Sequence, residues 1–132
     1  MDYFLEADNA LLFMLHDFGY RGATSQQSAM FGGMAHLVNF LGTDTVAGIL
    51  GAKKYYKTSK TGFSIPASEH STITVYQKDR KYILDGKEVD GETFAYANMI
   101  KQFGGKDKVV ACVSDSYDIF NATENIWGKT LK

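Results

Sequence analysis

Apolar positions along the chain follow two rhythms. Where they recur three and four residues apart they predict helices, and short uninterrupted apolar runs between those segments predict strands. Residues 1–14 fit a short helix through Leu5, Leu11, Leu12 and Met14. A second helix is predicted from a cap at Thr24 or Ser25 to about Asn39, with Ala29, Phe31, Met34, Ala35 and Val38 at helical spacing. Gly32 and Gly33 within it point to weak helix or to close packing on another element. FLG (40–42) is a short apolar strand, and Thr43 or Asp44 caps a third helix, TDTVAGILGAKKYY, with Lys53 and Lys54 near its carboxyl end.

The second half continues the pattern. FSIP (63–66) is a strand stopped by Pro66, and Ser68 opens a helical segment through His70 to about Tyr76. YILDGKEV (82–89) carries the Asp-Gly signal of a hairpin. ETFAYANMIKQF (92–103) is helical by period. KVVACVS (108–114) is apolar on both faces, as buried parallel strands are, and DSYDIFNATENIW (115–127) is a final helix. Strand and helix alternate about four times, which predicts an α/β fold with parallel strands and outer helices. With 132 residues a single domain is expected, spanning 1–132.

Composition narrows the function. Lys plus Arg number 14 against 15 acids, so the basic excess of a general nucleic-acid binder is missing. No apolar run approaches the roughly 20 residues of a membrane span, the amino terminus lacks a basic leader region, and Cys112 has no partner for a disulfide. The expectation is a cytoplasmic protein with no nucleic-acid and no membrane partner. No Walker A, GxGxxG, HExxH or CxxC spacing occurs, and no metal-ligating set stands out.

In a parallel sheet, ligands bind beyond the carboxyl ends of the strands. The four predicted βα loops carry His16, Asp17, Phe18, Tyr20 and Arg21; then Thr43, Asp44 and Thr45; then Ser64, Ser68, Glu69 and His70; then Ser114, Asp115, Ser116, Tyr117 and Asp118. Arg clamps phosphate, an aromatic stacks on a flat ring, and Asp accepts from an amide, so the set suits a planar, phosphate-bearing ligand. Blander roles stand beside these. Asp44, Asp115 and Ser116 serve equally as helix caps, Phe18 as core, and His36 as a structural mid-helix residue.

The strings LHDFGYRG, AHLVNFLGTDTVAG, IPASEHSTIT and VSDSYDIFNATENIWG resemble the central part of nicotinamide phosphoribosyltransferase, in order and in spacing. The resemblance covers most of this chain and about a quarter of a family member. It implies a partial β/α barrel, and formation of nicotinamide mononucleotide and diphosphate from nicotinamide and phosphoribosyl diphosphate in NAD biosynthesis. It also implies Mg2+ bound mainly through the substrate diphosphate, with coupling to ATP. By resemblance Phe18 stacks on the pyridine ring, Arg21 binds phosphate, and Asp44 accepts from the carboxamide while repelling nicotinate. Ser64 and Ser114 line the pocket. His70 contacts diphosphate and is the histidine the family phosphorylates, and Asp118 orients it.

Segments that the family uses to clamp the ribose and phosphate are not in this sequence. The chain is expected to form one wall of a site, to have no appreciable turnover alone, and to be completed by companion chains or a homodimer, or to be a truncated product. Residues 77–91 are longer and more charged than the resemblance leads one to expect, and are taken as a surface insertion. The alternatives are a non-catalytic ligand-binding remnant and a nicotinate-specific relative, the latter disfavoured by Asp44.

Overall fold

The computed structural model describes residues 11–58, 62–106 and 108–132. The helix expected over residues 1–14 lies outside them except for its last four positions, which form a turn with Met14 N donating to Leu11 O (3.2 Å). The chain forms two compact units, the first ending at Ser64 and the second beginning at Ile65. The architecture is mixed α/β.

In the first unit, β1 (His16–Asp17) pairs in parallel with β2 (Gly42–Thr43), His16 opposite Gly42 and Asp17 opposite Thr43. Phe63 bridges Gly42 on the other side, also in parallel. The predicted FLG and FSIP strands are therefore present as very short parallel pairings, and His16 and Asp17, expected in a loop beyond a strand, form the strand itself. A 3-10 turn (Tyr20–Gly22) leads into α1 (Gln26–His36). Ser25 caps α1, its Oγ accepting from Ser28 N at 3.0 Å, which satisfies one orphan donor of the first turn. α2 spans Val46–Tyr56.

The two glycines of α1 have different fates. A Cβ on Gly33 would lie 2.8 Å from the Gly48 Cα of α2, so the helices touch backbone to backbone there, whereas Gly32 faces open space. The core of this unit is accordingly built of small residues and methionine: Ala29, Met34, Ala47 and Ala52 are buried along with Gly33, Gly48 and Gly51.

The second unit is bulkier. α3 (His70–Thr74), the hairpin β3 (Lys81–Leu84) and β4 (Lys87–Asp90), and α4 (Gly91–Phe103) precede a terminal helix, α5. α5 begins as α-helix over Ile119–Asn121 and widens to a π-helix over Ala122–Thr130. The Asp-Gly turn is present: Asp85 and Gly86 both take positive φ (49° and 79°), the geometry that a two-residue hairpin turn requires. Tyr82 of the hairpin stacks on Phe94 at 4.5 Å. Asp90 caps α4 through Thr93 N (2.7 Å). Ile73, Ala95, Tyr96, Ala122 and Ile126 form the core, with Tyr96 stacked on Trp127 at 4.9 Å. Such a ring pair contributes about 1 kcal/mol beyond the area it buries.

Two expectations for this unit need correction. KVVACVS is not a strand buried on both faces: Ala111 alone bridges, in parallel with Ala67, and Val109 is 59% exposed. An apolar run takes up two-sided burial only where neighbouring strands and helices cover it. Ser68 does not open α3, which starts at His70; its hydroxyl, buried, instead accepts from Val113 N at 3.1 Å.

Candidate functional site

The sequence-predicted groups divide between the units, with Phe18, Arg21, Asp44 and Ser64 in the first and His70, Ser114 and Asp118 in the second.

In the first unit the parallel register places β1 beside the turn that follows β2. Asp44 N donates to Asp17 O at 2.9 Å, which brings the Asp44 side chain to His16. Thr43 and Thr45, on either side, are buried, so Asp44 projects between them. The capping role open to Asp44 and Thr43 is not what the structure contains. The residue before α2 is Thr45, which makes no side-chain cap bond, and Thr43 Oγ1 accepts from Thr45 N. Asp44 Oδ2 instead meets His16 Nε2 at 2.9 Å, and its Oδ1 accepts from Ser64 Oγ at 2.5 Å.

The His16 ring also stacks on Phe18, with centroids 4.3 Å apart and planes inclined by 27°. Phe18 is 49% exposed, so it is not core, and much of the ring surface is open to a ligand. Arg21 lies three residues on, exposed in the 3-10 turn. Beside these groups is an open cavity of about 480 Å³ whose wall includes His16, Phe18, Ser28, His36 and Thr45. That volume is in the range of small-molecule pockets, about 300–1,000 Å³. His36, read as structural, ends α1 and has its Nε2 2.8 Å from Gly42 O.

In the second unit His70 opens α3 and is 61% exposed at its side chain. Its Nδ1 lies 3.0 Å from Ser116 Oγ, and its Nε2 lies 3.9 Å from Asp115 Oδ1. Asp118 Oδ1 accepts from Phe120 N and Asn121 N at 3.0 and 3.1 Å. The cap of α5 is thus Asp118, not Asp115 or Ser116, and the contacts described for the His70 ring are with the two residues expected to be caps. Ser114 Oγ accepts from Trp127 Nε1 (2.9 Å) and donates to Cys112 O (3.1 Å), so its hydroxyl holds the indole in place.

Behind this loop lies a buried polar pair. Tyr96 Oη donates to Glu92 Oε1 at 2.8 Å, while Glu92 Oε2 is buried without a hydrogen-bond partner. Burial holds the Glu92 carboxyl above its ordinary range, against the opposing pull of the Tyr96 hydrogen bond and of Lys78. Burial and the adjoining Glu92 push the Tyr96 hydroxyl up as well.

Among the described residues no three His, Cys, Asp or Glu gather into a possible metal cage. Nor is any described helix long and apolar enough to cross a membrane.

His16 is the group whose importance the sequence reading missed. It stood among other polar loop residues, and only the pairing of β1 with β2 brings it to a carboxylate 28 positions away.

Comparison with known proteins adds an independent line. The family model described as the Nicotinate phosphoribosyltransferase (NAPRTase) family matches residues 13–132. A protein of Xanthomonas campestris pv. campestris (strain 8004) named "Nicotinamide phosphoribosyltransferase" is 50% identical over 127 residues, 96% of this chain and 25% of that protein. Proteins of the same name from Mycoplasma pneumoniae and Mycoplasma genitalium are 37% and 36% identical over 114 residues, in each case 86% of this chain and 20% of theirs. The chain therefore spans a quarter or less of the length of these relatives.

Proposed function

The chain belongs to the nicotinate phosphoribosyltransferase family, and we propose that it supplies the nicotinamide-binding wall of a nicotinamide phosphoribosyltransferase. The complete enzyme would join nicotinamide to phosphoribosyl diphosphate, releasing diphosphate and forming nicotinamide mononucleotide for NAD biosynthesis in the cytoplasm. The names of the relatives support the substrate class. The observation that carries the reading is the state of Asp44: its carboxylate is not spent on a helix terminus but is held by His16 and Ser64 next to a half-exposed Phe18.

In this reading the complete enzyme would be a β/α barrel to which each unit contributes ligand-binding groups. The pyridine ring stacks on Phe18 and the carboxamide donates to Asp44. Arg21 takes phosphate, Ser64 and Ser114 fix the neighbouring wall, and His70 faces the departing diphosphate. An ionised carboxylate favours the amide over nicotinate, which brings a like charge. Asp118 acts on the same loop by shaping the start of α5, while Ser116 holds the His70 ring. His70 is also the group that would take a phosphoryl from ATP. Magnesium would arrive with the diphosphate.

A departing diphosphate needs donors on several sides. Arg21 and His70 are too few, so turnover requires companion chains or a homodimer of a longer polypeptide. The test is to titrate this chain with nicotinamide and nicotinate, then mix it with candidate companion chains and assay mononucleotide formation. Amide-selective binding and restored activity are expected. Binding without any rescue supports a non-catalytic binding module instead. Preference for nicotinate overturns the substrate assignment, and reconstituted activity indifferent to Asp44→Ala and His70→Ala overturns the site.

A further inference from the structure

His16 touches both groups through which the chain is proposed to recognise its ligand. We infer that His16 is the positioning residue that makes the pocket selective for an aromatic amide over the corresponding acid. The inference rests on the proposed binding of nicotinamide at Phe18 and Asp44.

A carboxylate has about four acceptor sites, two on each oxygen. His16 Nε2 takes one on Oδ2, and Ser64 Oγ takes one on Oδ1. Each oxygen keeps an open acceptor site, and a primary amide brings an N–H donor to fill one. A carboxylate ligand brings none and carries the same charge. An exposed, untethered Asp relieves that clash by turning its side chain away. Held at both oxygens it cannot, so the tether converts charge into discrimination.

The Asp44 carboxylate only accepts, so the contact at Nε2 of His16 requires an N–H there. Nδ1 faces Gly42, where a Cβ would lie only 2.7 Å away. Gly42 is thus the seat of the imidazole, and its carbonyl is bonded in turn to His36 Nε2. The ring is largely shielded, its side chain 11% exposed against 38% for Asp44, so water competes poorly for the bond. The same ring backs Phe18. One side chain therefore sets the position of both the stacking surface and the acceptor.

Two variants separate these duties. His16→Phe keeps a ring against Phe18 and removes the donor, and His16→Gln keeps an N–H for Asp44 and removes the ring. The readout is the ratio of nicotinamide to nicotinate affinity of this chain by titration calorimetry. His16→Phe should lower the ratio about tenfold, and His16→Gln should bring it back to within about threefold of the parent. A merely structural role would shift the melting curve and leave the ratio alone. An unchanged or higher ratio in His16→Phe, with nicotinamide binding retained, overturns this inference and leaves the proposed function standing. A parent chain that does not prefer nicotinamide overturns both. If the variants fail to fold, a long-range proton–nitrogen correlation spectrum of the parent decides. The Nε2–H tautomer of His16, lost in Asp44→Ala, is expected, and the Nδ1–H tautomer overturns the inference.

Discussion

The two units hold their chemically interesting side chains in opposite ways. In the first, Asp44 is fixed from two elements, by His16 of β1 and by Ser64 beyond the Phe63 bridge, over a floor of glycine, alanine and methionine. In the second, the bulk of the packing serves Tyr96, Trp127 and Glu92, and His70 stands at the surface beside Ser116 and Asp115. A carboxylate fixed before its ligand arrives loses little entropy on binding. An exposed imidazole acquires its working position from what it binds. On the proposed function, the contrast would separate recognition, built into the first unit, from turnover, which would depend on groups that meet His70.

The largest effect should come from the floor. Gly33→Val places a branched Cβ where Gly48 Cα already lies 2.8 Å away, and backbone cannot yield as a side-chain tip does. The cost should be about 2–3 kcal/mol, read as a lower urea midpoint of the helical signal, and Gly32→Val, facing open space, should cost far less. Next comes Asp44→Ala. Removing the proposed charged acceptor of the amide N–H should lower nicotinamide affinity about 10- to 100-fold in calorimetry.

Much of this frame was legible in the sequence, and the exceptions have a common cause. The helices of 26–36, 46–56 and 91–103, the Asp-Gly turn with its antiparallel hairpin, and the parallel sense of β1 with β2 and of the two isolated bridges follow from local period and turn chemistry. Phe18, Asp44 and His70 were visible as unusual polar or aromatic positions in loops. Their partners were not. Asp44 looks like an N-cap from its place before a helix, and only the register of β1 on β2 shows that His16 claims it. Ser116 looks like a cap too, until α5 starts later with Asp118 and frees it for His70. KVVACVS misled because apolar period records an intended neighbour, and the described residues cover it only in part.

A smaller, pH-dependent effect belongs to the second unit. Burial raises the Glu92 carboxyl above its ordinary value of 4.5, so the folded chain holds that proton more tightly than the unfolded chain does. The group's contribution is therefore best below about pH 4.5, declines as pH climbs toward the folded-state value, and is flat above it. Glu92→Gln keeps an acceptor for Tyr96 and discards the titration. The difference between parent and variant urea midpoints, followed by Trp127 fluorescence, should shrink or reverse in favour of the variant as pH rises across that window. A difference independent of pH would mean that the carboxyl is not the titrating group.

The smallest effect on the chain itself should be that of His70→Ala, and its smallness is the point. The side chain is 61% exposed, so its removal should shift stability by no more than about 0.5 kcal/mol. Nicotinamide affinity, proposed to be set by Phe18 and Asp44 in the first unit, should stay within about twofold. The same substitution should abolish mononucleotide formation once companion chains complete the enzyme, since the departing diphosphate then loses a donor that water does not replace. Asp44→Ala should show the reverse balance, with affinity lost first and turnover recoverable in part at saturating nicotinamide. If both variants instead lose affinity and turnover in equal measure, recognition and catalysis are not divided between the two units, and the rigid carboxylate and the exposed imidazole would have to be read as parts of a single binding contact.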